Sequence, residues 1–200
     1  SVTAFGPQAD FQRKRYLTYA TKSGSVTTVF RQTVDEAGAP IDAAATVFSV
    51  DDDVAEMQMS ANYGARSQNS IGAMRTDRGG LYLIPPNGGT ATLIAENVEA
   101  FATLVDYSGN RLVYFSTKDA TIWECATDTM TFTQIARNVG LVSTIRSAAD
   151  GASVVVFLSK TGRLYNKEGG VIAESIAAFD ANVTSGTVRQ VYYAQYQSIC

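Results

Sequence analysis

The sequence predicts an all-β fold built from a repeated unit of about forty residues. The segment LIAENV at 93–98 recurs as QIARNV at 134–139 and, more loosely, as VIAESI at 171–176. An apolar–aromatic pair, Leu81-Tyr82, recurs as Ile122-Trp123 and Leu164-Tyr165, and both markers share a period of 41 to 42 residues. No segment shows an apolar period of about 3.6 residues over a helical length, so we expect little helix.

The apolar–aromatic pair belongs to a longer pattern that predicts a β-hairpin. A Lys or Asp precedes the pair by four positions, with a small turn residue between them, at 77–82, 118–123 and 160–165. A weaker fourth copy at 22–27 places its pair at Val26-Thr27. Each copy follows a run of β-branched and aromatic residues, at 16–21, 71–75, 112–116 and 154–158. Each copy therefore reads as strand, tight polar turn, strand.

Further strands are predicted at 101–106, 131–136 and 141–146. Four strands in a repeat of about forty residues are typical of a β-propeller blade, in which each sheet buries its faces against its neighbours. We predict a β-propeller of about four to five four-stranded blades in a single domain over 1–200. The repeat units are predicted at 16–50, 51–98, 99–139 and 140–176, with terminal strands in 177–200.

Two places depart from the period. The gap from Val26 to Leu81 is 55 residues, which predicts surface-loop insertions at 35–40 and 58–69. The stretch 188–194 reads as the first strand of a hairpin with no hairpin after it. It is predicted to complete the blade begun at the N-terminus and so close the ring. If the ring does not close, the chain is predicted to be a piece of a larger propeller or to close with another chain.

Two segments resemble known propellers. The hairpin pattern is similar to a degenerate Asp-box of sialidase-like propellers, best at 77–82. Lys replaces the Asp of that box in the other copies, so the resemblance implies hairpin geometry without sialidase chemistry. The run 121–135 resembles blade segments of tailed-bacteriophage tail propellers of the nozzle and DNA-stabilisation type. This second resemblance implies a virion or extracellular setting.

Composition excludes several function classes. The chain has no histidine, which removes imidazole-based catalysis and imidazole metal sites. A net charge of -3 disfavours general nucleic-acid binding, and no apolar run is long enough to span a membrane. No Walker loop or dinucleotide fingerprint is present, so we expect no cofactor. Cys125 and Cys200 are too few for a disulfide scaffold.

Aromatic side chains provide the candidate binding residues. Tyr82, Trp123 and Tyr165 predict either repeated sugar-stacking pockets or packing between blades. The terminal Tyr192, Tyr193 and Tyr196 predict either a strand that closes the ring or part of a subunit interface, where Tyr is enriched.

Charged side chains carry weaker hypotheses. The acidic run Asp51-Asp52-Asp53 lacks the ligand spacing of a calcium loop, so a solvated loop is favoured and no metal site is predicted. Lys22, Lys118 and Lys160 recur at one turn position. They predict either a ring of cations or simply a polar residue at an exposed turn.

These observations favour a non-catalytic structural or interaction propeller, a subunit of a larger assembly such as a phage tail. Its partners would be other protein subunits. A carbohydrate-binding propeller is the alternative, with a glycan as partner. A glycoside hydrolase is the second alternative, because carboxylates from different blades can meet without any sequence signature.

Overall fold

A computed structural model describes residues 2–9, 15–61, 70–84, 90–149, 153–183 and 189–196. Every regular element in these ranges is a β-strand, which confirms the all-β prediction. No helix in the same ranges is long and apolar enough to cross a membrane. The chain divides into two compact units, 1–97 and 98–200. The single domain over 1–200 stays a prediction.

The first unit contains two four-stranded antiparallel sheets, each with its strands side by side in chain order. The first sheet comprises β1 (Val2–Ala9), β2 (Arg15–Ser23), β3 (Val26–Val34) and β4 (Ala45–Val50). The second sheet comprises β5 (Val54–Ala61), β6 (Ser70–Thr76), β7 (Leu81–Ile84) and β8 (Thr92–Ala95).

The second unit repeats this arrangement and adds a shorter sheet. The third sheet comprises β9 (Val98–Val105), β10 (Arg111–Thr117), β11 (Thr121–Ala126) and β12 (Thr131–Arg137). The fourth sheet comprises β13 (Val142–Ala149), β14 (Ser153–Ser159), β15 (Leu164–Asn166) and β16 (Val171–Ala173). Finally, β17 (Ile176–Val183) and β18 (Arg189–Gln195) pair with each other as a two-stranded sheet, here called the half-sheet.

Shared irregularities show that the sheets are copies of one unit. In all five sheets the pairing of the first two strands shifts register near the start of the first strand. In the four complete sheets a second shift lies in the third strand, within the apolar–aromatic pair, as at Ile122/Trp123 and Leu164/Tyr165. A bulge at a fixed place is a built feature of a strand pair. The four-stranded blade prediction is confirmed, and the half-sheet corresponds to the first half of a blade.

The repeated LIAENV-type marker spans the passage from one sheet to the next. Asn97, Asn138 and Ser175 all have left-handed backbone conformations, with φ of 57°, 57° and 60°. Asn tolerates this region better than most residues, because its short polar side chain can bond locally. The apolar residue that follows each of them is buried. Val98 and Ile176 begin β9 and β17, and Val139 lies in the link that leads into β13.

The first hairpin corrects the sequence prediction. The register shift in β3 lies between Val29 and Phe30, so this pair and not Val26-Thr27 is the first copy of the marker. The reason is that β2 and β3 extend to the pair Ser23↔Val26 and close with a two-residue turn. Val29 is fully buried, as are its equivalents Leu81, Ile122 and Leu164.

The other departures from the period also differ from expectation. A loop does follow β3, where the Asp35 carboxylate accepts hydrogen bonds from the amides of Ala37 and Ala39. Residues 58–61, however, belong to β5, and 62–69 lie outside the described residues. The prediction that 188–194 completes the N-terminal blade is wrong. The first sheet already has four strands, and β18 pairs with β17.

Hydrophobic clusters lie between consecutive sheets of each unit. In the first unit, residues of the first sheet (Ala20, Val29, Val47) pack with residues of the second (Val54, Met74, Ile84). In the second unit, one cluster joins the third and fourth sheets, including Leu104, Tyr114 and Phe157. Another joins the fourth sheet to the half-sheet. Each sheet therefore depends on a neighbour for the burial of its apolar face.

Candidate interaction surface

The half-sheet presents three exposed aromatic side chains. Tyr192, Tyr193 and Tyr196 have exposed fractions of 57%, 47% and 69%. Nearby, Phe179 and Val191 are partly buried against the fourth sheet. Strand alternation places Tyr193 on the same face as Val191 and Tyr192 on the opposite face. The tyrosines predicted as interface residues are therefore accessible on both faces of β18 and just beyond its end.

The register shows why these side chains are exposed. Ala178↔Ala194 and Phe179↔Tyr193 in the half-sheet match Thr144↔Leu158 and Ile145↔Phe157 in the fourth sheet. Tyr193 is thus the equivalent of Phe157, which is fully buried. The fourth sheet covers the far edge of β14 with β15. Among the described residues β18 pairs only with β17.

Tyr196 holds a defined position in the repeat. Its amide donates to the carbonyl of Ser175 at 2.8 Å. In the fourth sheet the Lys160 amide makes the same bond to Leu141 at 2.7 Å. The half-sheet is therefore held in the geometry of a complete sheet up to the residue after its second strand.

A cleft lies beside Tyr196. It has a cavity volume of about 620 Å³ and is lined by the β14–β15 turn, by the link between β16 and β17 and by Tyr196. Its polar groups include the hydroxyls of Ser159 and Thr161, which lie 3.0 Å apart. Lys160 also lines the cleft, with its ammonium 2.8 Å from Glu99. The cleft is continuous with the tyrosine-bearing surface through Tyr196.

Sequence reasoning missed the residues that shape the hairpin turns. Thr76 and Ser159 each accept a hydrogen bond from the amide four positions later, at 3.1 Å and 3.0 Å. Thr117 occupies the equivalent place. The signal was present in the sequence as a Ser or Thr directly before the Lys or Asp of the pattern.

The turn lysines differ in their contacts. Lys22 donates to Asp53 at 2.7 Å, and Lys160 donates to Glu99. Lys118 is exposed. Two of the three lysines therefore bind carboxylates. This supports the interpretation that the turn position requires a polar residue over the interpretation that the lysines form a ring of cations.

Tyr82, Trp123 and Tyr165 occupy equivalent positions, opposite second-strand residues Met74, Phe115 and Phe157. Tyr165 is only 8% exposed and packs in the cluster between the third and fourth sheets.

Tyr82 is half-buried against the cluster of the first unit, with its ring centroid 5.2 Å from that of Phe48. Trp123 is half-buried. Tyr82 and Tyr165 therefore pack between sheets. The sugar-stacking role of the three aromatic residues stays a prediction.

The acidic run is engaged in local contacts. Burial acts to raise the pKa of Asp52, but hydrogen bonds from Thr76 and from the amides of Asp53 and Arg78 outweigh it. The pKa of Asp52 therefore lies below its usual value. Asp51 is exposed. In the described ranges no group of three or more side chains is placed to hold a metal ion.

Cys125 is fully buried, and burial raises the pKa of its thiol to about 11. A thiol in this state is a poor nucleophile at neutral pH, because the reactive form is the thiolate. Cys200 lies outside the described residues.

No family model and no curated protein matches the sequence. Among solved structures, puromycin hydrolase matches with a TM-score of 0.52 and 15% identity, over 82% of this chain and 27% of that one. A mutant of puromycin hydrolase complexed with PGG matches with a TM-score of 0.48 at 15% identity, over the same shares of the two chains. Chaetomium thermophilum Sqt1 bound to the N-terminus of the ribosomal protein L10 matches with a TM-score of 0.48 at 13% identity, over 83% of this chain and 45% of that one.

The chain spans about a quarter of the length of the puromycin hydrolase structures. At such identities structural likeness speaks for the fold alone. The matched folds are of the β-propeller type, in agreement with the repeated four-stranded sheets. The chain is therefore an all-β protein with the fold of a partial β-propeller.

Proposed function

We propose that this chain is a non-catalytic interaction module that binds a protein partner through the tyrosine-bearing half-sheet. The observation that carries the proposal is the exposure of Tyr193, 47% exposed at a position where the complete fourth sheet has the fully buried Phe157. Tyrosine offers a large apolar ring and a hydrogen-bonding hydroxyl, and it is enriched in interface cores. A rigid β framework supports such a surface, because little order has to be gained on binding.

Two features support a non-catalytic role. The chain has no histidine. Its buried cysteine has a thiol pKa raised to about 11, which disfavours nucleophilic chemistry at neutral pH. The module works by presenting its surface at a fixed geometry.

The partner belongs, in this proposal, to a larger assembly of the bacteriophage-tail type. The support for this finer statement is the sequence resemblance of 121–135 to tail propeller blades. A virion or extracellular location follows from the same resemblance.

Hydroxyl-radical footprinting tests the interaction function. We expect Tyr192, Tyr193 and Tyr196 to be protected in native assemblies relative to the purified chain. Tyr107, 55% exposed in the turn between β9 and β10, is the matched control and should be modified equally in both samples. Equal modification of the half-sheet tyrosines in the two samples would overturn the proposal.

A glycan is the second candidate partner. Trp123 favours it, because this half-buried indole lies in β11 at the place that every complete sheet fills with an aromatic residue. A glycan array probed with the wild-type chain and with Trp123→Ala tests it. Binding that is lost in the variant, with unfolding midpoints unchanged, would support a glycan site, and absence of binding to any glycan would exclude it.

A further inference from the structure

We propose that Met59 is a site of reversible oxidation, at which a peroxide converts the thioether to a sulfoxide and so loosens the packing of the first sheet against the second. This inference goes beyond the proposed function, because it concerns the first unit and requires no binding partner. A sulfoxide turns a flexible apolar side chain into a polar one, which disrupts the hydrophobic clusters in which methionine packs.

Met59 lies against a glycine of the adjacent strand. Met59 and Gly72 stand directly opposite each other in the pairing of β5 with β6. The Sδ atom of Met59 lies 2.5 Å, and its Cε atom 3.0 Å, from the point that a Cβ atom on Gly72 would occupy. The thioether therefore fills the space that a side chain at position 72 would take. A glycine within a strand often marks such a close approach of another group.

The thioether belongs to the cluster that joins the first two sheets. Met59 packs against the buried residues of this cluster, which include Val29 of the first sheet and Ile84 of the second. The Cβ of Ile84 lies 3.3 Å from the same point above Gly72. An oxygen added to Sδ replaces an apolar contact with a polar group that requires a hydrogen-bond donor. We therefore expect the sulfoxide to leave the cluster and to open a gap above Gly72.

Among the four methionines of the chain, Met59 is the one whose departure uncovers a glycine. Met57 is also partly buried on this cluster, but it stands opposite Met74, whose long flexible side chain can fill the space that Met57 leaves. Met74 is fully buried, which shields it from an oxidant in the solvent. Met130 lies in the turn between β11 and β12 of the second unit.

The Met59 side chain is only partly buried, so a peroxide in the solvent has access to it. A lone pair of Sδ attacks one oxygen of hydrogen peroxide. The S–O bond forms as the O–O bond breaks, and the departing hydroxide takes the proton of the transferred oxygen and leaves as water. The thioether is oxidised to the sulfoxide and the peroxide is reduced to water. A methionine sulfoxide reductase with a thiol reductant reverses the change.

The test treats the full chain with hydrogen peroxide and measures the sulfoxide at each methionine by peptide mass spectrometry. A Cys200→Ser background removes one cysteine from the peroxide chemistry, and the other, Cys125, is fully buried. We expect a sulfoxide at Met59 and a thermal unfolding midpoint lowered by at least about 4 °C. Treatment with the reductase should restore the midpoint.

Met59→Leu conserves the volume of the side chain and carries no thioether, so its midpoint should be the same with and without peroxide. Met57→Leu and Met130→Leu are the matched controls and should keep the peroxide effect. Comparison of treated and untreated samples within each variant separates the effect of oxidation from that of the substitution.

Gly72→Ala tests the contact itself. A Cβ at this position would meet the Met59 sulfur at 2.5 Å, so the thioether must move out of the cluster. Met59 should then be oxidised severalfold faster than in wild type, and the midpoint should start lower and change less with peroxide. Equal rates of oxidation at Met59 in the two proteins would overturn the role given to the glycine.

Three further results would overturn the proposal. The first is a Met59 that stays unmodified while Met57 is oxidised. The second is a peroxide effect on the midpoint that persists in Met59→Leu. The third is a midpoint that stays low after mass spectrometry shows that the sulfoxide at Met59 has been reduced.

Discussion

Lys167, in the turn between β15 and β16, donates a hydrogen bond from Nζ to Oε2 of Glu124 in β11 at 2.6 Å, and so joins the fourth sheet to the third. Glu124 stands opposite Tyr114 of β10 and is hydrogen-bonded to its hydroxyl. The ammonium of Lys167 lies 5.3 Å from the centre of the Tyr114 ring. Burial and the Glu124 hydrogen bond raise the pKa of Tyr114, so its hydroxyl stays protonated and donates to the carboxylate.

We expect Glu124→Leu to lower the free energy of unfolding by about 1–3 kcal/mol, because it leaves the buried Tyr114 hydroxyl without its acceptor. Adding Tyr114→Phe to this variant should recover part of the loss. Lys167→Met is the matched control and should cost less than about 1 kcal/mol, since Lys167 is partly exposed. Urea unfolding measures all four proteins. A loss in Glu124→Leu no larger than that in Lys167→Met would contradict the role given to the carboxylate.

Ala120→Gly should stabilise the protein by about 0.5–1 kcal/mol. Ala120 has a left-handed φ of 62°, where the equivalent turns of the second and fourth sheets have Gly79 and Gly162. The strain removed exceeds the chain entropy that a glycine adds. Gly24→Ala is the reverse control, because a Cβ there meets nothing within 4 Å and the cost is conformational only. Thermal unfolding that moves in the same direction for both variants would refute this account.

Asp52 should contribute to stability above about pH 4 and lose that contribution in acid. Its pKa in the folded protein lies below the ordinary value of 3.8, so the unfolded chain takes up the proton first as the pH falls. The difference in urea midpoint between wild type and Asp52→Asn should therefore be present at pH 7 and should shrink below pH 4. Asp51→Asn, at an exposed neighbour, is the control. A difference that is constant with pH would show that the effect of Asp52 is not electrostatic.

Cys125 should react with thiol reagents only when the structure opens. It is fully buried and its pKa is raised to about 11 by burial. In a Cys200→Ser background, labelling at pH 8 should be much slower in buffer than in denaturing urea. The folded protein favours the neutral thiol, because burial raises the pKa of Cys125 from the ordinary value of 9.0 to about 11. The stability that this thiol contributes is therefore fully present below pH 9.0 and is lost as the pH rises toward about 11. Labelling in buffer as fast as in urea would show that the site is open.

The sequence by itself determined the repeat, its period and the strand content, because these depend on local chemistry. The apolar–aromatic pair recurs in the sequence because the third strand of each complete sheet buries its apolar residue and packs the aromatic residue that follows. Asn recurs at positions 97 and 138 of the marker because few side chains tolerate the left-handed backbone conformation found there.

Only the tertiary structure decided which strands pair and in what register. The sequence predicts the first copy of the marker at Val26, whereas the structure places it at Val29. The first hairpin is longer and closes with a two-residue turn, which shifts the strand pairing without a change in local propensity. The exposure of Tyr193 is decided in the same way. The residue itself suits a buried strand, and it is exposed because β18 pairs only with β17 among the described strands. Strand pairing joins residues distant in sequence, so no local pattern reports it.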